Sequence, residues 1–404
     1  MRAIQEGNAF YQPLLQAAGL EDTGHVTIEQ FVQQMPFTTK QQLVEDQLAH
    51  PPYGSNHSFP IDQYTRFCQT SGTTGKPLRI IDTPQSWQSM LDVWQIVFEQ
   101  AGCKRDDRVL FAFSFGPFLG FWTAYEAAAQ MGLMCLPAGG MSTSARLAMI
   151  DDNAINTICC TPTYALHLAD AASAAGQPLS NSPVARLIVA GEPGGSLPAV
   201  RGRIESAWGA RLYDHHGMTE VGPVTYQHNT PGSTTHALRV VDGYFLVEVI
   251  DLQTTEPVEP GTEGELVLTT LKRTACPLLR YRTGDLVKQD PADPMRLVGG
   301  ILGRIDDMRL IRGVNVYPSA IDAIVRRFEE VSEYEVLIET SGAMHELSVR
   351  IEPGAGCTDV DALCKLIAEA MRDALSLRVP VSAAAEGTLP KFEMKAKRWR
   401  EVQS

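Results

Sequence analysis

Apolar positions along the chain change period twice, and the changes divide it into three sections. Up to about residue 60 the spacing is mainly helical. Tyr11, Leu14 and Leu15 share one helix face that ends at Gly19, and Thr27, ahead of Glu29 and Phe31, starts a second short helix. Residues 66–70 and 80–83 read as the two strands of a hairpin. Short apolar runs then alternate with helical patterns: helix 86–101, strand 108–113, a helix to Met131, strands 134–137 and 156–162, helix 164–174, strand 185–191, helix 197–208 and strand 211–214. Strands separated by helices of this length predict an α/β sheet, in which ligands bind outside the carboxyl ends of the strands. After about residue 235 the links shorten and strands 244–250 and 264–270 mark a β-rich part. Beyond Gly303-Arg304-Ile305-Asp306-Asp307 the order becomes strand, helix 319–328, strands 331–340 and 346–352, helix 358–376, strand, as in a small α+β domain.

Composition narrows the function classes. The 404 residues include 34 basic and 47 acidic ones, a net charge of -13, which argues against a broad nucleic-acid face. The 8 cysteines show no C-x-x-C spacing and read as reduced thiols of a cytosolic protein. Residues 1–6 lack the apolar core of a secretion signal, and no run reaches the roughly 20 apolar residues of a membrane span. The expected location is cytoplasmic, with neither nucleic acid nor membrane as partner.

Four clusters offer chemistry. Ser71-Gly72-Thr73-Thr74-Gly75-Lys76-Pro77 lies in the loop of the expected hairpin. Its glycines let the backbone approach a ligand, its hydroxyl and N–H groups can face an anion, and its lysine adds a mobile charge. The spacing is not the G-x-x-x-x-G-K-[ST] of the mononucleotide P-loop; a polar surface loop is the plain alternative. Asp214-His215-His216-Gly217-Met218-Thr219-Glu220 follows a strand, and Thr219 and Glu220 could position a phosphate and a hard divalent cation. The paired histidines, with His228, His236 and Cys276, raise zinc as an alternative to ordinary loop histidines. In Arg280-Tyr281-Arg282-Thr283-Gly284-Asp285, Asp285 can accept from a ribose, and the two arginines can meet phosphate or carboxylate or else brace a salt-bridged turn. Lys391, Lys395, Lys397, Arg398 and Arg400 form either a disordered basic tail or the carrier of a lysine presented to an anionic transition state.

In this order the blocks resemble the adenylate-forming enzyme superfamily, and within it the phenylacetate–CoA ligase branch. The resemblance runs over nearly the whole chain, through Pro36-Phe37-Thr38-Thr39-Lys40, the loop 71–77, Gly191-Glu192-Pro193, His216-Gly217-Met218-Thr219-Glu220 and Tyr281-Arg282-Thr283-Gly284-Asp285. It continues through Gly303-Arg304, Arg312-Gly313-Val314-Asn315-Val316-Tyr317-Pro318 and the residues 389–398. It implies a large multi-sheet N-terminal domain, 1–305, with α/β subdomains and a β-rich part, and a small mobile α+β domain, 306–404. It implies activation of a carboxylic acid by ATP and Mg²⁺ to an acyl-adenylate, then transfer to the thiol of CoA. By the same resemblance Ser71, Gly72, Thr73, Thr74, Gly75 and Lys76 hold the ATP phosphates and Glu220, beside Thr219, holds Mg²⁺. Asp214, His215, His216 and Gly217 lie along the nucleotide, Asp285 binds the ribose with Arg304 nearby, and Gly191, Glu192 and Pro193 line the adenine and acyl side. Lys395 is the implied catalytic lysine, brought in as the small domain turns about Asp306 and Asp307.

The acyl pocket is expected from the stretches 113–118, 161–164 and 190–191, with Phe113, Phe115, Phe118, Tyr164, Ala190 and Gly191 as contacts. Aromatic and small residues together predict a flat aromatic acid. The family's version of the first stretch is richer in glycine and tyrosine, which points from phenylacetate toward a substituted benzoate or a polycyclic acid of secondary metabolism. Other departures are His216 where the family usually has tyrosine, Met394 where a glycine usually precedes the lysine, and Asp290-Pro291-Ala292-Asp293 where relatives carry paired cysteines. No structural zinc is therefore expected. The N-terminal part is shorter than in relatives, which bears on a subunit contact; a homodimer is one expectation. The altered tail leaves an amine or a carrier-protein thiol open as acceptor. A catalytically silent nucleotide-binding regulatory protein is the alternative of another class, against which Lys76, Glu220, Asp285 and Lys395 stand.

Overall fold

The computed structural model describes residues 2–22, 24–70, 76–120, 122–228, 236–312, 314–341, 344–354, 356–390, 392 and 397–402. The loop 71–75 and Lys395 lie outside the described residues.

A 5-stranded parallel sheet organises the first half, in the order Met134–Pro137, Arg108–Phe111, Thr157–Cys160, Arg186–Val189, Arg211–Asp214. Side chains alternate between its faces as the pleat requires. Val109, Phe111, Cys159 and Ile188 join the helices Pro84–Gln100 and Trp122–Gln130 on one face. Leu110, Ile158, Cys160, Leu187 and Val189 join Thr143–Asp152, Pro162–Ala174 and Pro198–Trp208 on the other. With both faces covered, the strands read in sequence as nearly continuous apolar runs. Three of the helices start on a hydroxyl that accepts a first-turn amide: Thr83 from Ser86, Ser142 from Ala145 and Thr161 from Tyr164. The strand order reverses between Arg108–Phe111 and Thr157–Cys160, so a crevice opens where the chain leaves their carboxyl ends.

The β-rich part is an antiparallel sheet in the order Thr225–Gln227, Ala237–Val240, Asp293–Val298, Tyr281–Asp290, Glu263–Thr270, Phe245–Ile250, with Gly303–Arg304 paired to Tyr281–Asp290. The N-terminal helices Arg2–Gly7, Gln12–Ala17 and Ile28–Gln34 pack Ile4, Tyr11, Leu15 and Phe31 against Leu279. Thr38 then docks beside Tyr281, its N–H donating to the Arg280 carbonyl at 3.0 Å and its carbonyl accepting from the Arg282 N–H at 2.9 Å. The hairpin Arg66–Gln69 with Arg79–Asp82 forms as the alternation predicts.

The C-terminal α+β domain carries a 4-stranded sheet in the order Val381–Ala383, Met344–Pro353, Val331–Ser341, Trp399–Val402, covered by Pro318–Val325 and Val360–Leu375. The last strand corrects the reading of residues 397–400 as part of a disordered tail. Trp399–Val402 pairs in parallel with Val331–Ser341, and the basic residues find acidic partners on that strand. Arg398 Nε lies 2.7 Å from Glu333 Oε1, and Arg400 Nη1 lies 3.3 Å from Glu335 Oε2.

Glu333 also accepts from Arg326 Nη2 at 3.1 Å. Burial opposes its charge, but the Arg398 and Arg326 guanidinium groups outweigh burial and hold the carboxyl below its ordinary 4.5. The ionised pair thus stabilises the fold above pH 4.5 and that contribution fades as pH falls through the depressed value. Glu333→Gln, which takes from buried Arg398 its nearer counter-charge and leaves only Asp322 at 3.9 Å, should cost about 3 kcal/mol at pH 7. Thermal unfolding of both proteins at pH 7 and at lower pH checks this: the gap should narrow in acid.

Candidate active site

Two distant segments are held to one buried cation. Asp82 ends the hairpin strand that returns from the loop 71–75, and its side chain is 1% exposed. Arg273 grips it with a fork, Nε to Oδ1 at 2.9 Å and Nη2 to Oδ2 at 2.5 Å. Arg273 Nη1 donates in turn to the carbonyl oxygens of Thr219 at 3.1 Å and Glu220 at 2.8 Å. Burial disfavours the guanidinium charge, but Asp82 more than offsets it and holds the proton more firmly than usual. The hairpin and the Thr219-Glu220 turn are thereby fixed relative to each other. Asp82 and Arg273 escape the sequence reading, although an acidic residue closing the apolar run Ile80-Ile81 was the available signal.

A cavity of about 330 Å³ opens along this turn, bordered by Lys40, Glu192, Pro193, Asp214, His216, Glu220, Asp285, Arg304, Asp306 and Asp307 among others. Asp285 is 2% exposed; its Oδ2 meets His216 Nε2 at 3.0 Å and its Oδ1 accepts from Arg304 Nη1 at 2.8 Å. Burial would raise its pKa, but His216 and Arg304 prevail and keep it below the ordinary carboxylate value. A carboxylate has about four acceptor positions, so Asp285 retains capacity for hydroxyl donors. His216 thus spends one ring nitrogen on orienting Asp285. Arg280 and Arg282 do not border this cavity, and of their two readings the salt-bridged one holds. They brace the sheet, Arg280 Nη2 to Glu248 at 2.7 Å and Arg282 Nη2 to Glu265 at 2.5 Å.

Glu220 is buried and pairs with Lys40, Nζ to Oε1 at 3.1 Å. The Lys40 side chain is 42% exposed; the Glu220 carboxylate already faces a cation, and its hard oxygens suit Mg²⁺. Lys40 was recognised in sequence as part of a block but given no role. Lys76 is exposed at the edge of the undescribed loop. Asp214 is satisfied internally, accepting from Ser196 Oγ at 2.5 Å and from the His215 N–H at 3.0 Å. Gly191 is required by its backbone, φ +95°, and Gly195 by space, since a Cβ there would come within 2.4 Å of the Asp214 carboxyl. Glu192 accepts from the Thr163 N–H at 2.7 Å and clamps the loop to the start of the helix Pro162–Ala174.

A second cavity, about 350 Å³, occupies the crevice where the strand order reverses. Of the residues expected around the acyl group, Phe113, Phe118, Tyr164, Ala190 and Gly191 border it. Phe115 does not: it packs behind the wall against Phe113, Trp122 and Tyr125, with ring centroids 5.0, 4.7 and 5.6 Å away. Trp94, Trp122, Thr123 and Met218 complete the wall. Trp94 lies mid-helix at core spacing, so its sequence pattern signals burial without showing the cavity. Gly191, His215, Gly217, Met218 and Thr219 border both cavities. Whatever fills one cavity therefore meets what fills the other along this shared wall.

Comparison with known proteins agrees with this geometry. Residues 11–271 match the AMP-binding enzyme family and residues 313–401 the AMP-binding enzyme C-terminal domain. The phenylacetate–coenzyme A ligase of Pseudomonas putida is 32% identical over 375 residues, covering 89% of this chain and 82% of that protein. That of Thermus thermophilus is 31% identical, covering 86% and 78%. Among solved structures, 2-hydroxyisobutyryl-CoA ligase in the postadenylation state, in complex with 2-HIB-AMP, has a TM-score of 0.88 at 27% identity, covering 99% of this chain and 87% of that one. The same enzyme in the thioesterification state, in complex with 2-HIB-AMP and CoA, has a TM-score of 0.68 at 28% identity. Matches to both domains in order, with relatives at this identity and coverage, make the chain a member of the AMP-binding, adenylate-forming enzyme family, on its phenylacetate–CoA ligase-like branch.

Proposed function

We infer that the chain is an AMP-forming acid–thiol ligase that activates an aromatic carboxylic acid with ATP and passes the acyl group to CoA. The observation that carries this reading is the wall shared by a polar cavity, with an oriented carboxylate, and an apolar aromatic one. In the first half-reaction a carboxylate oxygen attacks the α-phosphorus of ATP and pyrophosphate leaves. In the second a thiolate attacks the acyl carbonyl and AMP leaves. An aromatic acid in the Trp94–Tyr164 cavity directs its carboxylate to Gly191, Gly217 and Thr219, where the nucleotide cavity begins. A cavity of about 350 Å³ exceeds twice the ~150 Å³ that holds benzene, which leaves room for a substituted ring.

The carboxylate and the triphosphate repel each other, so cationic and N–H groups must offset the charge as they approach. Residues 71–76 would hold the phosphates, and the strand that follows them is fixed through Asp82. Asp285 accepts from the ribose hydroxyls, oriented by His216 and Arg304. Glu220 and Thr219 would hold Mg²⁺, which neutralises phosphate charge when bound. Lys395 serves the first half-reaction from the small domain 306–404, which then turns about Asp306 and Asp307 relative to 1–305.

Acid-dependent ATP–pyrophosphate exchange should appear with aromatic acids and fall at least about a hundredfold in Lys395→Ala. Absence of exchange over a broad acid panel contradicts the reading. Thioester formation with CoA confirms the acceptor; exchange with an amide or carrier-bound product in its place would assign the acceptor otherwise. Asp285→Asn should raise the KM for ATP about tenfold or more, measured by the same exchange, because a charged acceptor for the ribose is lost. Arg273→Lys keeps the charge but cannot hold Asp82 and both carbonyls at once, so kcat should drop about tenfold or more while the acid preference stays unchanged.

A further inference from the structure

His215 stands where the acyl and nucleotide cavities meet, and one of its ring nitrogens has no assigned work. The residue is 5% exposed and packs against Trp94 with ring centroids 4.2 Å apart. Trp94 borders the acyl cavity and not the nucleotide cavity, so the imidazole belongs to the acyl side of the shared wall. His215 Nδ1 lies 2.6 Å from the Thr225 carbonyl oxygen. A carbonyl can only accept, so Nδ1 carries the proton and Nε2 carries a lone pair. Burial lowers the pKa of the ring to about 3, which keeps it neutral.

Nε2 makes no hydrogen bond among the described residues, and it is not among the polar atoms sealed into the packing. It faces Gly217, where an added Cβ would stand 3.4 Å away, and Gly217 borders both cavities.

A lone pair in an apolar cavity discriminates between ligands. Carboxylate and phosphate oxygens bring only acceptors and are repelled by Nε2. A methyl or methoxy group offers no donor and strips Nε2 of water without replacement. A hydroxyl or amino group satisfies it. Because His215 also borders the nucleotide cavity, that donor must sit near the carboxyl end of the acid. We propose that the acid activated by this enzyme carries a hydroxyl or amino group close to its carboxyl, and that His215 Nε2 selects the acid by accepting a hydrogen bond from it. This rests on the Trp94–Tyr164 cavity being the acyl site.

The test is kcat/KM for CoA-thioester formation with matched acids: 2-hydroxy- and 2-aminobenzoate against 2-methyl- and 2-methoxybenzoate, the corresponding naphthoates and phenylacetates, and the 4-substituted isomers. The donor acids should exceed their methyl and methoxy counterparts by about tenfold or more, with the larger ratio at position 2. His215→Leu, which keeps bulk and removes the acceptor, should shrink the ratio to within about threefold, and His215→Gln, whose amide oxygen still accepts, should restore part of it. Equal rates for donor and methyl acids in the unmodified enzyme overturn the proposal, and that comparison stands even if a variant does not fold. A ratio that survives in His215→Leu, or a preference confined to 4-substituted donors, overturns it as well. If no aromatic acid is turned over, donor and methyl acids fail alike, and the aromatic reading of the acyl site falls together with the proposal.

Discussion

The Asp82 carboxylate and the Arg273 guanidinium meet in the interior, and the geometry of the site depends on that contact. A buried ion pair is costly unless its remaining hydrogen-bonding capacity is used. Here it is used on function: the spare guanidinium N–H groups hold the carbonyls of Thr219 and Glu220. The partners come from opposite ends of the large domain, |i−j| 191, so the contact forms only when the hairpin and the β-rich sheet are both in place. Removing either charge leaves the other buried alone and loosens the Thr219-Glu220 turn together with the strand that leaves the loop 71–75. Fold stability and site geometry are therefore coupled at this pair.

Around it, three constructions supply different physics. The parallel sheet contributes an apolar crevice at its switch point, where backbone ends and small residues leave room for a ring. The antiparallel sheet contributes fixed charge, Asp285 held between His216 and Arg304. The small domain docks on the large one, with Arg203 Nη1 of the large domain donating to the Val331 carbonyl at 3.2 Å. The two cavities share a wall because the loop after Arg186–Val189 and the segment after Arg211–Asp214 are neighbours in the sheet. Adjacent parallel strands thus bring Gly191 and Gly217 together without any long-range specificity in the loops themselves.

Much of this was legible in the sequence, and what was not has identifiable causes. The parallel strands were readable because both faces are covered and nearly every position is apolar, as in Thr157–Cys160. The hairpin and the α+β domain followed from periodicity, and most residues of both cavities were named through the family resemblance. Trp399–Val402 was hidden because its pairing depends on Glu333 and Glu335, which lie far away in sequence, while its own composition reads as a charged tail. Arg280 and Arg282 looked like ligand contacts because local chemistry does not reveal that Glu248 and Glu265 stand beside them on neighbouring strands. Phe115 shares its composition with Phe113, and only packing decides which of the two reaches the cavity. Of the paired histidines, His216 turns to Asp285 and His215 packs against Trp94, a division that adjacent sequence positions do not announce.

The most direct measurement is a crystal structure with a non-hydrolysable aryl-sulfamoyl adenosine, a mimic of the aryl-adenylate. The ribose hydroxyls should lie within hydrogen-bond distance of Asp285, the sulfamoyl linker between Gly191 and Thr219, and the aromatic ring against Trp94 and Tyr164. A ring bound outside that crevice, or a ribose away from Asp285, would contradict the assignment of the two cavities and of the wall they share.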